Sequence, residues 1–207
     1  MLLLSMRRTL LITFAFAVVA FYGAVTLHAG PKWDLFKPKK PTPATEILMA
    51  QEVPKVTPRV LEKATPENTH IYISLDKQRA FLFVDDEMAI DTPVSTGKGK
   101  GMTPQGQFEI LEKAEKHTSN IYGDFVDSGG QVVRGGVSTK VDSAPSGTRF
   151  RGAPMAWFLR LTWEGAGMHV GDLPGYPASD GCIRLPTDIA RLFFQNTKIG
   201  TPVEIGN

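Results

Sequence analysis

Cysteine is nearly missing: among 207 residues there is one, Cys182. A lone thiol excludes an internal disulfide framework and a multi-cysteine zinc cluster. A surplus of charge is missing too, since 23 Lys and Arg against 21 Asp and Glu leave a net charge of +2. That balance carries no electrostatic footprint for a nucleic-acid partner. Histidine is scarce, with four residues at 28, 70, 117 and 169. Neither HExxH nor a Cys/His ligand spacing occurs, so no metal and no cofactor is expected. Internal repeats and heptads are absent, which excludes solenoids and coiled coils.

Apolar residues make up 42% of the chain and charged residues 21%, enough to bury a core and incompatible with wholesale disorder. The 20 Gly and 15 Pro favour a turn-rich, strand-rich protein over a helical bundle. Arg7 and Arg8 precede an uncharged stretch, LLITFAFAVVAFYGAVTL, at residues 10–27. This reads as an export signal or a short membrane-spanning helix. Leu27-His28-Ala29 is an imperfect cleavage site, which favours an uncleaved anchor. Residues 1–29 are therefore assigned as signal peptide or membrane anchor. The remainder is expected on the periplasmic or extracytoplasmic side of the cell envelope, secreted or held to the inner membrane.

Residues 30–66 contain Pro31, Pro38, Pro41, Pro43, Pro54, Pro58 and Pro66 with Lys32, Lys37, Lys39 and Lys40. Proline lacks a donor and fixes φ, so a semi-extended tether without core residues is expected, with a short helix at residues 45–51. From residue 67 to 207 the pattern becomes that of a mainly β domain. Alternation marks strands at residues 70–75 and 79–84. Further strands are expected at 88–95, 107–111, 132–139, 155–163 and 202–205. One helix follows Thr187, read as its cap, with Ile189, Leu192 and Phe193 on its apolar face. The Thr96-Gly-Lys-Gly-Lys-Gly101 cluster lacks the spacing and following helix of a phosphate cradle, and reads as a basic loop.

The chemistry concentrates in residues 168–185. An unpaired thiol in an exported chain is exposed to oxidation and is less often kept without a use. Ser179-Asp-Gly-Cys182 forms a tight entry to Ile183-Arg-Leu185, a geometry that presents a sulfur beside backbone N–H donors able to hold an oxyanion. His169 lies thirteen residues earlier across a Gly/Pro-rich loop able to fold back. An imidazole is the expected partner of a thiol that must ionise. Spacing alone leaves a Cys/His pair and a coincidental loop histidine as equal readings.

Pro93-Val-Ser-Thr-Gly97, Thr103-Pro-Gln-Gly-Gln-Phe108, His169, Ser179-Asp-Gly-Cys-Ile-Arg-Leu185 and Gly200-Thr-Pro-Val203 occur in an order that resembles L,D-transpeptidase catalytic domains of the YkuD type, over roughly residues 68–206. The resemblance implies a β-sandwich-like fold with a helix near the active-site strand. It also implies a peptidoglycan L,D-transpeptidase. Cys182 would attack the carbonyl before the terminal D-alanine of a tetrapeptide stem and form a thioester. An amine of another stem, or a lysine of an envelope protein, would resolve it. His169 would move the protons, and backbone groups around Gly181 and Cys182 would hold the oxyanion. Ser179 would hydrogen-bond within the turn. Arg184 would steady the substrate or the loop, or pair with a nearby carboxylate.

The sequence departs from the family's Ser/Thr-His-Gly-Cys by placing Asp180 at the second position. A carboxylate pointing inward raises the thiol pKa; one that points to solvent or orients His169 is neutral or helpful. Residues 122–151 read as a Gly-rich insertion or lid over the substrate groove. Two alternatives stand beside transfer: a carboxypeptidase or endopeptidase with water as acceptor, and a catalytically silent peptidoglycan-binding module. The partners implied are stem peptides, an envelope protein as acceptor, and the membrane through the N-terminal segment.

Overall fold

The computed structural model describes residues 53–65 and 67–207. The leader at residues 10–27 and the helix expected at 45–51 lie outside the described residues. Among the described residues no helix is long and apolar enough to cross a membrane.

The chain opens with β1 (Lys55–Val56), α1 (Pro58–Leu61), β2 (Thr69–Ser74), β3 (Arg79–Val84) and β4 (Glu87–Pro93). Next come β5 (Gly106–Glu109), β6 (Glu112–Ala114), β7 (Thr118–Val126), β8 (Val132–Ser138) and β9 (Arg149–Pro154). It closes with β10 (Phe158–Arg160), β11 (Gly167–Val170), β12 (Ile183–Leu185), α2 (Thr187–Gln195) and β13 (Pro202–Gly206). The fold is mainly β, as expected.

Strict alternation builds the first sheet, ordered β1-β4-β3-β2-β13-β5. Ile71 and Ile73 of β2 pair with Leu82 and Ala80 of β3, and all four are buried. A second sheet, ordered β12-β11-β10-β6, turns Leu159, Met168, Ile183 and Leu185 toward the same core. Ile189, Ala190 and Phe193 of α2 fill it from the side. Full burial of an aliphatic or Phe side chain contributes about 1.5–3 kcal/mol, so this shared core is what holds the second sheet rigid under the site. The insertion at residues 122–151 falls mostly within a third, antiparallel sheet, ordered β8-β7-β9, with Phe125, Val126 and Val137 buried.

Three expectations are corrected. Residues 30–66 are not core-free throughout: β1 pairs with β4, and Val60 of α1 lies in the core. Pro58 permits this because a first-turn proline forfeits no helical hydrogen bond. The strand expected over 155–163 is interrupted, since Trp157 takes a φ of 56° and only Phe158–Arg160 is strand. Thr187 is not the cap of α2; Pro186 occupies that position and Thr187 makes no capping bond.

The other end of α2 is closed by Lys113 of β6. Its ammonium donates to Phe194 O at 2.6 Å and to Thr197 O, and stands 4.5 Å over the Phe194 ring. These carbonyls lie at and just beyond the helix end, where the macrodipole favours a cation. Lys113→Met keeps the stem and removes the donors. Urea unfolding should register a loss of about 1–3 kcal/mol; an unchanged midpoint would show that water caps the helix equally well.

Candidate active site

The site is built on the second sheet. β11 runs parallel to β12, with Met168 opposite Ile183, His169 opposite Arg184 and Val170 opposite Leu185. Parallel neighbours need a crossover of about a dozen residues or more, and residues 171–182 supply it. The chain therefore does not fold back as a hairpin. It returns to lie beside the start of β11, which delivers Cys182 next to Gly167 and diagonal to His169. Met168, Ile183 and Leu185 occupy the core face, so alternation sends His169, Arg184 and the entering Cys182 to the other face. Phe158 and Arg160 of β10 extend the same row, because Leu159 pairs with Met168 and points to the core.

The turn that carries the thiol is held by hydroxyl groups. Ser179 Oγ accepts the Gly181 N–H at 3.1 Å and donates to Cys182 O at 2.5 Å. Thr103 Oγ1 accepts the Gly97 N–H at 2.8 Å and donates to Gly181 O at 2.9 Å. Ser95 exchanges backbone bonds with Arg184, at 3.2 and 3.0 Å. Gly181 has a φ of +129°, and a Cβ there would stand 2.9 Å from Met102 O. Glycine is required on both counts. The Gly181 amide is thus consumed within the turn. The Cys182 amide makes no hydrogen bond among the described residues and is the open donor beside the sulfur.

The sulfur itself contacts Gly165 O at 3.5 Å as donor, and the Gly167 N–H points to it. Gly167 must lack a side chain, since a Cβ would meet Leu159 O and the Phe158 ring, each at 2.6 Å. Burial pushes the thiol pKa up; the Gly167 N–H and then Arg184 pull it down, Asp180 raises it, and Arg160 lowers it. His169 is 8% exposed, with Nδ1 2.7 Å from Val170 O. A carbonyl only accepts, so Nδ1 carries the proton and Nε2 keeps the lone pair. Burial lowers the imidazole pKa from 6.5 to about 4, with Val170 O opposing and Arg184 and His117 adding to the shift. Burial thus favours the neutral form of both groups; among the described residues the two side chains share no hydrogen bond, and the thiol's donor contact goes to Gly165 O.

The family model for the YkuD L,D-transpeptidase catalytic domain matches residues 68–205. The chain belongs to that family. Solved L,D-transpeptidases share the fold. One from Mycobacterium smegmatis aligns with a TM-score of 0.50 at 23% identity, covering 67% of this chain and 58% of that one. An L,D-transpeptidase in complex with imipenem aligns with a TM-score of 0.51 at 21% identity, with the same coverages of 67% and 58%. The chain thus spans about 58% of the length of these relatives. No curated protein matches the chain.

Within this transpeptidase domain the remaining residues of interest fall as follows. Arg184 lays its stem over Gly171, and its guanidinium has no carboxylate partner among the described residues. Asp180 points away from the core to Lys98 Nζ at 2.6 Å. Sequence reasoning missed Lys98, set aside as part of a basic loop, and passed over His117. The latter stacks on Phe158 at 4.3 Å and lies within electrostatic reach of His169. It also missed Trp163, 72% exposed in the turn that ends at Gly165, with Arg160 5.7 Å from its ring. No sequence periodicity marks these three, because loops and short strands bring them in. Among the described residues no group of three or more His, Cys, Asp or Glu side chains is gathered to hold a metal ion.

The buried neutral imidazole makes stability depend on pH. Its folded pKa of about 4 lies below the ordinary 6.5, so the unfolded chain binds the proton more readily. The contribution is complete above pH 6.5 and drains away as pH falls toward 4, reaching about 3 kcal/mol. Urea midpoints for the wild type and His169→Gln should converge across that window. Parallel profiles would mean that His169 titrates normally in the folded protein.

Proposed function

We propose that this domain is a cysteine-dependent peptidoglycan L,D-transpeptidase of the cell envelope. The observation that carries the proposal is the parallel β11–β12 pairing. It sets a thiol, an imidazole, the Cys182 amide and the Arg184 guanidinium on one face of one sheet, the last two and Nε2 without a hydrogen-bond partner among the described residues. His169 Nε2 takes the Cys182 proton as sulfur attacks the carbonyl before the terminal D-alanine. The Cys182 N–H meets the oxygen where negative charge develops. The imidazolium then protonates the leaving amine, and a thioester remains. An acceptor amine loses its proton to Nε2, attacks the thioester carbon and releases the thiol. Arg184 supplies the positive charge that a stem carboxylate needs. The uncharged run at residues 10–27 supports placement at the inner membrane with the domain outside the cytoplasm.

The test is intact-mass spectrometry of the full-length protein with a disaccharide tetrapeptide. The expected adduct is the donor less D-alanine, present on the wild type and lost in Cys182→Ala. Adding a D-amino acid should then yield stems carrying that residue. Trimmed tripeptide alone would show water as the acceptor, and no adduct at all would leave only a binding module.

A further inference from the structure

The second half of the proposed reaction needs an amine, which reaches the enzyme as an ammonium ion. One group beside the thiol is suited to it. In the turn at residues 179–182 the Ser179 hydroxyl is spent on Gly181 N–H and Cys182 O, the Gly181 carbonyl is held by Thr103, and Asp180 alone presents a charged side chain. Its carboxylate is 34% exposed and holds Lys98 Nζ at 2.6 Å, while the lysine side chain is 59% exposed. Lys98 is anchored by its own N–H to Ser179 O at 2.9 Å, and residues 98–101 beyond it are exposed. The pair thus joins the basic loop to the turn that carries the thiol.

We propose that Asp180 is an acceptor-specificity residue, whose carboxylate binds the ammonium of the incoming amine in a place that Lys98 holds in the resting protein. This rests on the acyl-transfer reading above. Lys98 carries the same functional group as the side-chain amine of a diamino acid: a primary ammonium on a flexible alkyl stem. Its seat on Asp180 shows that the carboxylate accepts such a group within hydrogen-bonding distance. An exposed ion pair is weak and screened by salt, so exchange of one alkylammonium for another is easy. Two of the charges near the sulfur, Arg184 and Asp180, then divide the substrates. Arg184, without an anionic partner, takes the anionic donor, and Asp180 takes the cationic acceptor. After exchange the bound ammonium gives one proton to solvent and a second to His169 Nε2 as it attacks. The C–N bond forms, the C–S bond breaks, and the thiolate recovers the proton from the imidazolium.

The test uses the full-length protein, acylated with a disaccharide tetrapeptide and partitioned between two acceptors near neutral pH. One is Nα-acetyl-lysine amide, an alkylammonium; the other is hydroxylamine, which is neutral there. Asp180→Asn should raise the KM for the lysine amine about two- to fivefold, the scale of an exposed ion pair. The readout is the ratio of the two acceptors' KM values, because Asp180 also raises the thiol pKa and its loss reaches both acceptors through the sulfur. Asp180→Glu should recover part of the loss, and Lys98→Met should lower the lysine-amine KM by removing the competitor. Equal effects of Asp180→Asn on both acceptors, or a raised KM in Lys98→Met, would each reduce the pair to turn support and overturn the inference. Failure of the wild type to acylate would instead overturn the transpeptidase reading on which it stands.

Discussion

The parallel pairing of β11 with β12 is the constraint from which the site follows. Thirteen residues separate His169 from Cys182 in sequence, and a crossover at residues 171–182 turns that separation into adjacency on neighbouring strands. The register is set from below, because Met168, Ile183 and Leu185 are buried. A slip of one residue in β12 would turn Ile183 and Leu185 away from the core and drive Arg184 into it. Ser95, Thr103 and Ser179 hold the same arrangement from the loops. Two of the segments that carry the family resemblance thus meet at the nucleophile turn as its structural supports.

Electrostatics at this site favour neutrality. Burial acts against the thiolate and against the imidazolium at once, and each has one backbone partner that offsets part of the cost. A thiol kept protonated reacts slowly with oxidants, which protects an unpaired cysteine. The cost is that no standing thiolate exists, so in the proposed reaction proton transfer to Nε2 would accompany attack. Asp180 adds to this bias, and its ion pair with Lys98 tempers the negative charge beside the sulfur. The question posed by that departure from the family motif is answered by geometry: the carboxylate faces a lysine at the rim.

What the sequence disclosed follows from where local pattern and tertiary packing agree. β2 and β3 were legible because one side of each strand is core, and alternation records that directly. α2 was legible from its apolar face, though its first residue was not, since a preceding proline can serve where a side-chain cap is expected. β1 and α1 were hidden by the prolines around them. β8 was legible as the strand expected at 132–139, whereas β7 and β9 were hidden in a glycine-containing stretch of weak strand propensity, yet Gly123 and Gly152 are needed where β7 and β9 approach closely. Cys182, His169 and the Ser179 turn were marked by residue type and motif. Their parallel geometry was not, because spacing in sequence does not distinguish a hairpin from a crossover.

The central claim is that the thiol and the imidazole both rest neutral, one at the entry to β12 and the other on β11, its parallel neighbour. The rate at which iodoacetamide alkylates Cys182, followed against pH, tests it most directly because only the thiolate reacts. The account predicts a rate that is low at neutrality and still rising at pH 9, as burial of the thiol requires. A rate already at its plateau near neutral pH would mean a standing thiolate–imidazolium pair and would contradict it.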